Sequence, residues 1–211
     1  MRANLYLTTV LGVGALALAA CGDREPATPS PEPSADVDAS ADPASGTAAA
    51  DASGQRASTT ETGAATLMNN DGEEIGTVSL TQAPTGLLLR VEADGLEPGW
   101  HGIHIHAVGD CGDSAFQNAG SHVNHNAAPH GLMNPEGPDD GDLPNIHADD
   151  DGRVRAELFT PSARIAENGP GQWLWDEDGS AIVIHANPDD HQTQPIGGAG
   201  DRVACAVVQR G

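Results

Sequence analysis

Residues 75–93 read Ile-Gly-Thr-Val-Ser-Leu-Thr (75–81), Gln-Ala-Pro-Thr-Gly (82–86) and Leu-Leu-Leu-Arg-Val-Glu-Ala (87–93). Two short runs of β-branched and aliphatic residues flank a turn signal, Ala83-Pro84-Thr85-Gly86. That pattern predicts two strands joined by a tight connection. The rhythm continues outward, with further runs at 103–108, 154–159, 181–185 and 203–208. Turn signals lie at Asn70-Asp71-Gly72, Glu97-Pro98-Gly99, Asp151-Gly152 and Asp178-Gly179. There is no sustained 3.6-residue period, so residues 64–211 read as one all-β domain, an antiparallel sandwich or barrel. Two segments break the rhythm, 109–149 and 188–200, both rich in Gly, Pro, Asn, Asp and His. Loops this long in a compact domain are usually functional.

The domain is preceded by two segments of different character. Residues 1–20 hold one early positive charge, Arg2, and an apolar run that ends in small residues. This is the pattern of a secretory signal peptide, too short and too poorly flanked for a stable membrane span. The run closes Leu18-Ala19-Ala20-Cys21, which resembles the bacterial lipoprotein box. The resemblance implies cleavage before Cys21, a lipid on Cys21 and a membrane as partner. Gly22 follows the cysteine, so the aspartate that retains many such proteins at the inner membrane is absent. The expected location is therefore the periplasm or cell envelope, with the outer membrane favoured. Residues 21–63 are Ala, Pro, Ser, Thr, Asp and Glu with almost no large apolar residue. Such a chain cannot bury enough surface to offset its ordering entropy. It reads as a tether of about forty residues, spanning roughly 35 Å root-mean-square.

Charge and cysteine content narrow the function. The chain carries 31 acidic residues against 9 basic ones, and every basic residue is arginine. A net charge of −22 repels phosphate, so nucleic acid is excluded as a partner. There are three cysteines. With Cys21 assigned to lipid, Cys111 and Cys205 remain, and an oxidising compartment favours their disulfide; the alternative is two free buried thiols.

The histidines lie in and beside the two loops. His104 and His106 are two apart in an expected strand, so both rings face one side while Ile103 and Ile105 face the other. His122, His125 and His130 follow within one loop, which Asp139, Asp140 and Asp142 close. His185 ends a late strand and leads into Asn187-Pro188-Asp189-Asp190. Imidazoles suit copper or zinc, and carboxylates can complete a zinc site.

These motifs, in this order, resemble the copper,zinc superoxide dismutases. Gly102-Ile103-His104-Ile105-His106 is similar to their copper motif. Ala119-Gly120-Ser121-His122, with His130 eight residues on, is similar to the bridging and zinc histidines. Gly141-Asp142-Leu143-Pro144-Asn145 resembles the zinc aspartate motif. His185-Ala186-Asn187-Pro188-Asp189-Asp190 resembles the fourth copper ligand and its support. Residues 198–205, Gly-Ala-Gly-Asp-Arg-Val-Ala-Cys, resemble the active-site arginine and the disulfide.

The resemblance implies a Greek-key β-sandwich or flattened barrel with two long functional loops. It implies copper on His104, His106, His122 and His185, and zinc on His122, His130 and Asp142, with His122 bridging. Asp189 would hydrogen-bond one histidine of each metal, Arg202 would attract superoxide, and Cys111 would pair with Cys205. His122 and Arg202 are the expected catalytic residues, and superoxide is the expected substrate. Copper alternating between two oxidation states would oxidise one superoxide and reduce the next, and zinc would hold His122.

The chain departs from the family at one zinc ligand. Asp139 stands where the third zinc histidine is expected, so the expectation is zinc on His122, His130, Asp139 and Asp142. His125 is the competing candidate. His101 is expected to make a structural hydrogen bond, and His147 and His191 to lie at the surface. The rival reading is a copper-binding or copper-delivery module without turnover, which leaves Arg202 without a purpose.

Overall fold

The computed structural model describes residues 60–208 and 210. The signal segment, Cys21 and the tether up to residue 59 lie outside the described residues. The described chain folds into strands β1 (Thr62–Asn69), β2 (Glu74–Ala83), β3 (Gly86–Ala93), β4 (Gly99–His101), β5 (Ile103–His106) and β6 (Ile146–Ala148). They are followed by β7 (Val154–Thr160), β8 (Ala163–Arg164), β9 (Gln172–Trp173), β10 (Ser180–His185) and β11 (Arg202–Val208). A single 3-10 turn, Gln117–Ala119, is the one helical element among the described residues.

Seven strands form one curled antiparallel sheet in the order β5-β10-β11-β1-β2-β3-β7. β4 runs into β5 through Gly102 alone and pairs with β6 in a separate two-stranded sheet, so β5 remains the edge of the large one. The chain crosses from β3 to β4 and β5, then returns from β6 to β7 beside β3. Such long return connections make the Greek key of β-sandwich domains. The fold class read from the sequence is thus the observed one, as a curled sheet closing into a half-barrel.

The inner face holds the core, including Leu67, Val78, Leu80, Leu89, Val91, Ile103, Ile105, Ile182 and Ile184, all without solvent exposure. Alternation along each strand produces it, because successive side chains point to opposite faces. In β1 the buried positions are Gly63, Ala65 and Leu67. Their small size hid the strand from a search for bulky apolar runs, and the domain boundary placed at residue 64 falls inside it. β5 ends at His106 rather than at 108. There the backbone leaves the sheet, and the Ala107 and Val108 amides donate to Ser121 and Ala119 in the following loop.

One irregularity positions two functional residues. Along β10 and β11, Ile184 pairs with Ala204, but His185 pairs with Arg202, leaving Val203 as an extra residue. A bulge of this kind changes which face the residues beyond it occupy. Ala204, Ala206 and Val208 belong to the inner core. Arg202, two residues before Ala204, would follow them inward in a regular strand. With Val203 inserted, it stands directly opposite His185.

The outer face of β10 and β11 is covered by the loop after β5, through Phe116 and Ala119 against Ala181, Val183 and Cys205. Cys111 is disulfide-bonded to Cys205 across a sequence separation of 94. A cross-link closing so long a loop removes much unfolded-state entropy, about 4.7 kcal/mol in the chain-entropy account. Replacing both cysteines by serine should therefore lower unfolding free energy by about that much in urea titrations. An unchanged midpoint with an unchanged slope would show that the cross-link adds no stability.

Candidate metal centre

β5 supplies the first two residues of the site. Ile103 and Ile105 point into the core, so His104 and His106 point outward, yet both are fully buried. The 107–145 loop covers them by lying along the free edge of β5. His106 bridges to His122 and His104 to Asp142 as isolated antiparallel pairs. The Ile105 amide donates to Gly141, and the Ile105 carbonyl accepts from Val123. This approach requires glycine at 141, where a Cβ would stand 2.4 Å from the Ile105 oxygen. His185 arrives from β10, and His130, Asp139 and Asp142 come from the loop.

Five histidines and three aspartates are thereby buried together: His104, His106, His122, His130, His185, Asp139, Asp142 and Asp189, none more than 6% exposed. His104, His106 and His185 each offer a ligand atom, all within 4.8 Å of one another; so do His122, His130, Asp139 and Asp142. The His122 ring joins the two sets. Its centroid lies 4.2 Å from that of His104 and 5.1 Å from that of His106. Its Nδ1 lies 3.0 Å from Asp139 Oδ2 and 3.5 Å from Asp142 Oδ1.

The hydrogen bonds leave one nitrogen of each ring free for a metal. His106 Nδ1 donates to the Gly120 carbonyl at 2.9 Å, and His185 Nδ1 to that of Gly200 at 3.2 Å. His104 Nε2 is 2.9 Å from Asp189 Oδ2. The opposite atoms, His104 Nδ1, His106 Nε2, His185 Nε2 and also His122 Nε2, are buried with no hydrogen-bond partner. Buried polar atoms are almost always satisfied, so four orphaned nitrogens in one place fit a metal ion that would accept them. His130 Nδ1 abuts Asp142 Oδ1, and both atoms likewise lack hydrogen-bond geometry. A nitrogen and carboxylate donor set of this kind fits zinc.

The protonation tendencies of the two sides differ. Burial drives His106 down to about 2 and His185 down to about 3, with neighbouring His122 and His104 respectively adding to the effect. His104 is lowered by burial too, against the opposing pull of Asp189. These rings are neutral at ordinary pH and present lone pairs. On the other side burial also opposes charge, but carboxylates outweigh it. Asp142 and Asp189 raise His130 to about 10, and Asp139 and Asp142 raise His122. An ion on that side would take the place of the protons.

Beside the rings lies a cavity of about 460 Å³, lined among others by His106, His122, Gln194, Ile196 and Arg202. Arg202 Nη1 and Nη2 donate to the Phe116 and Gly120 carbonyls at 2.5 and 2.6 Å. Burial pulls its pKa below the usual value, with Asp113 opposing. A guanidinium remains charged regardless. Its hydrogen-bond partners are uncharged carbonyls rather than carboxylates, so it turns a positive charge toward the cavity, with Asp113 and the cavity-lining Asp139 as the nearby acids.

Family models identify residues 74–208 as copper/zinc superoxide dismutase. The chain is 53% identical over 147 residues to the Cu-Zn superoxide dismutase of Caulobacter vibrioides, covering 69% of this chain and 84% of that one. It is 43% identical over 146 residues to Cu-Zn superoxide dismutase 1 of Aquifex aeolicus, covering 69% and 86%. This chain belongs to the copper/zinc superoxide dismutase family. Solved structures agree. The Cu/Zn superoxide dismutase from Brucella abortus matches with a TM-score of 0.57 at 29% identity, over 71% of this chain and all of that one. A SOD-like protein from Bacillus subtilis matches at 0.65 and 33% identity, over 69% and 97%. The chain is thus a superoxide dismutase whose family uses copper and zinc, and it holds histidine groups able to bind metal.

The remaining sequence candidates fall as follows. Asp189 contacts His104 through Oδ2 and His130 Nε2 through Oδ1, at 2.9 and 3.1 Å. Asp139 is buried beside His122, whereas His125 is exposed. His125 takes part through its amide, which donates to Asp140 Oδ2. His101 is buried, with its ring nitrogens each 2.7 Å from the His185 and Glu97 carbonyls. His147 is exposed. His191 is not the surface residue expected of it: it is half-buried, with Nδ1 3.3 Å from Asp189 Oδ2. Two residues were missed. The Asn145 amide clasps the Asp189 backbone, donating to its oxygen and accepting from its nitrogen. Gln194 lines the cavity. The sequence marks Asn145 only as the end of the zinc aspartate motif, with no role, and does not mark Gln194 at all; neither residue type signals chemistry in a sequence.

Proposed function

We propose that dismutation proceeds at a copper held by His104, His106, His122 and His185 and joined through His122 to a zinc held by His122, His130, Asp139 and Asp142. The observation that carries this reading is the His122 ring, whose Nδ1 meets two carboxylates while its Nε2 is buried and unpartnered beside the other histidines. Copper, when bound, supplies the one-electron exchange that converts one superoxide to dioxygen and a second to hydrogen peroxide. His122 Nε2 is placed to hold a proton and pass it to the reduced substrate. Asp139 and Asp142 keep the ring oriented from the Nδ1 side. Arg202 draws the small anion into the cavity, and Asp189 fixes the His104 and His130 rings together.

Zinc addition to copper-loaded chain tests the bridge. The Cu(II) visible and electron paramagnetic resonance spectra should shift, because the second ion removes the His122 Nδ1 proton. In Asp139→Ala, roughly 100-fold more zinc should be needed, since losing a ligand costs at least as much as losing a supporting group. His125→Ala should behave as the parent. Zinc that binds without altering the copper spectrum would refute the bridge, and release of zinc by His125→Ala alone would refute Asp139.

We further propose that the chain is exported and anchored through lipid on Cys21, with residues 22–63 as spacer. The support is the apolar segment ending Leu18-Ala19-Ala20-Cys21 and the disulfide, which an oxidising compartment favours. Mass analysis should find a diacylglycerol-sized addition on Cys21, and Cys21→Ser should release the protein from membranes. A variant still bound to membrane would end this reading.

A further inference from the structure

We propose that Gln194 is a positioning residue of the metal centre, clipping the main chain of His130 so that the zinc-side ring keeps its place; this rests on the metal assignment above. The His130 amide donates to Gln194 Oε1 at 3.0 Å, and Gln194 Nε2 donates back to the His130 carbonyl at 2.7 Å. One side-chain amide therefore satisfies both polar groups of a single residue 64 positions away. The same Nε2 also reaches the Gln192 carbonyl at 3.1 Å, which holds the Gln194 side chain against its own loop.

The clip acts together with Asp189. Both belong to the 186–201 loop, and Asp189 Oδ1 meets the Nε2 of the same His130. The loop thus grips His130 at three points, its ring and both main-chain groups. The two loops also touch next door. A Cβ on Gly131 would stand 2.3 Å from the His191 oxygen, and Met133 donates its amide to that oxygen. Asp189 alone can fix the direction of the His130 ring. It cannot fix the position of the Cα from which the ring springs. Asn134 Nδ2 shares the His130 carbonyl at 3.0 Å, but Gln194 also takes the amide and so constrains both sides of the Cα, which keeps His130 Nδ1 against Asp142. The copper-side rings are held by other groups, the Gly120 and Gly200 carbonyls and Asp189. Loss of the clip should therefore weaken zinc and spare copper.

The test uses the full chain and the variants Gln194→Met and Gln192→Met. Methionine keeps the length of glutamine and removes both polar partners; Gln192 is exposed and its side chain makes no hydrogen bond among the described residues. Zinc affinity is measured by chelator competition, copper affinity likewise, and the ligand geometry by the visible spectrum of Co(II) in the zinc position. Gln194→Met should bind zinc about tenfold more weakly, the usual cost of losing a group that orients a ligand. Its Co(II) bands should shift while copper affinity stays within twofold of the parent. Gln192→Met should match the parent throughout. Equal zinc affinity in Gln194→Met and parent overturns the proposal, as does an equal loss of copper and zinc, which would mark a merely structural role. In the parent itself the His130 amide should exchange slowly with solvent, and free exchange there overturns the clip whether or not the variant folds. A parent that binds zinc while Gln194→Met binds it equally refutes Gln194 alone; a parent that binds no Co(II) or zinc refutes the metal assignment and this proposal with it.

Discussion

Stripping copper from the full chain should reduce superoxide decay to the spontaneous rate, and restoring copper should return it. The expectation follows from the protein's own inventory. No residue type around the cavity exchanges single electrons reversibly with superoxide; histidine, aspartate, glutamine and arginine only bind, orient or carry protons. In the proposed site the electron exchange comes from the ion that the four orphaned nitrogens would hold. Those nitrogens are neutral and already oriented by the Gly120 and Gly200 carbonyls and by Asp189. Copper should therefore rebind without refolding. Stopped-flow decay of superoxide, with metal content measured on the same samples, checks this. Equal decay with and without copper would refute the assignment of activity to this site. Zinc removal should have the smaller effect, because in the proposed site zinc would orient His122 rather than supply electrons.

Replacing Arg202 with alanine should slow superoxide decay about tenfold, within the range by which local charge alters encounter with a small ion. The whole chain bears a net charge of −22, so the distant field repels the substrate. At physiological salt, charges more than about 8 Å away are largely screened. Arg202 is closer than that to the cavity, which it helps to line, and it is partly buried, so its attraction survives where the distant acids fade. In Arg202→Ala the attraction is gone and the dependence of rate on ionic strength should flatten. Copper content should not change, since the guanidinium touches no metal-binding ring and the Gly120 carbonyl it shares with His106 keeps its bond to that ring. A variant with parental rate and salt response would remove Arg202 from substrate guidance.

Legibility in the sequence depended on residue type. Strands β2, β3, β7, β10 and β11 were marked by their aliphatic runs, and the observed bounds exceed the expected ones by one to three residues. β1 was overlooked because Gly63 and Ala65 carry its inner face, and such small residues resemble the Ala-rich tether before them. β4, β6, β8 and β9, each of two or three residues, are too short for any periodicity to show. In the site, histidines and aspartates announced themselves, and a two-residue spacing placed His104 and His106 on one face. Asn145 and Gln194 did not, because an amide matters only through what it reaches, and each reaches across more than forty residues.

By itself, then, the sequence determined that this is an all-β domain with two functional loops and a histidine-rich metal chemistry, because strand alternation and ligand type are local properties. The tertiary structure decided the rest. A single extra residue, Val203, sets Arg202 opposite His185, and nothing in the local run of β11 shows a bulge. The burial that makes His106 and His185 neutral comes from a loop folded over β5, some fifteen residues beyond it in sequence. The choice of Asp139 over His125 beside His122 is made by loop geometry, since both lie in the same segment but only one is turned inward. Long-range packing settles these points because hydrogen bonding and desolvation act between residues that meet only after the chain has closed on itself.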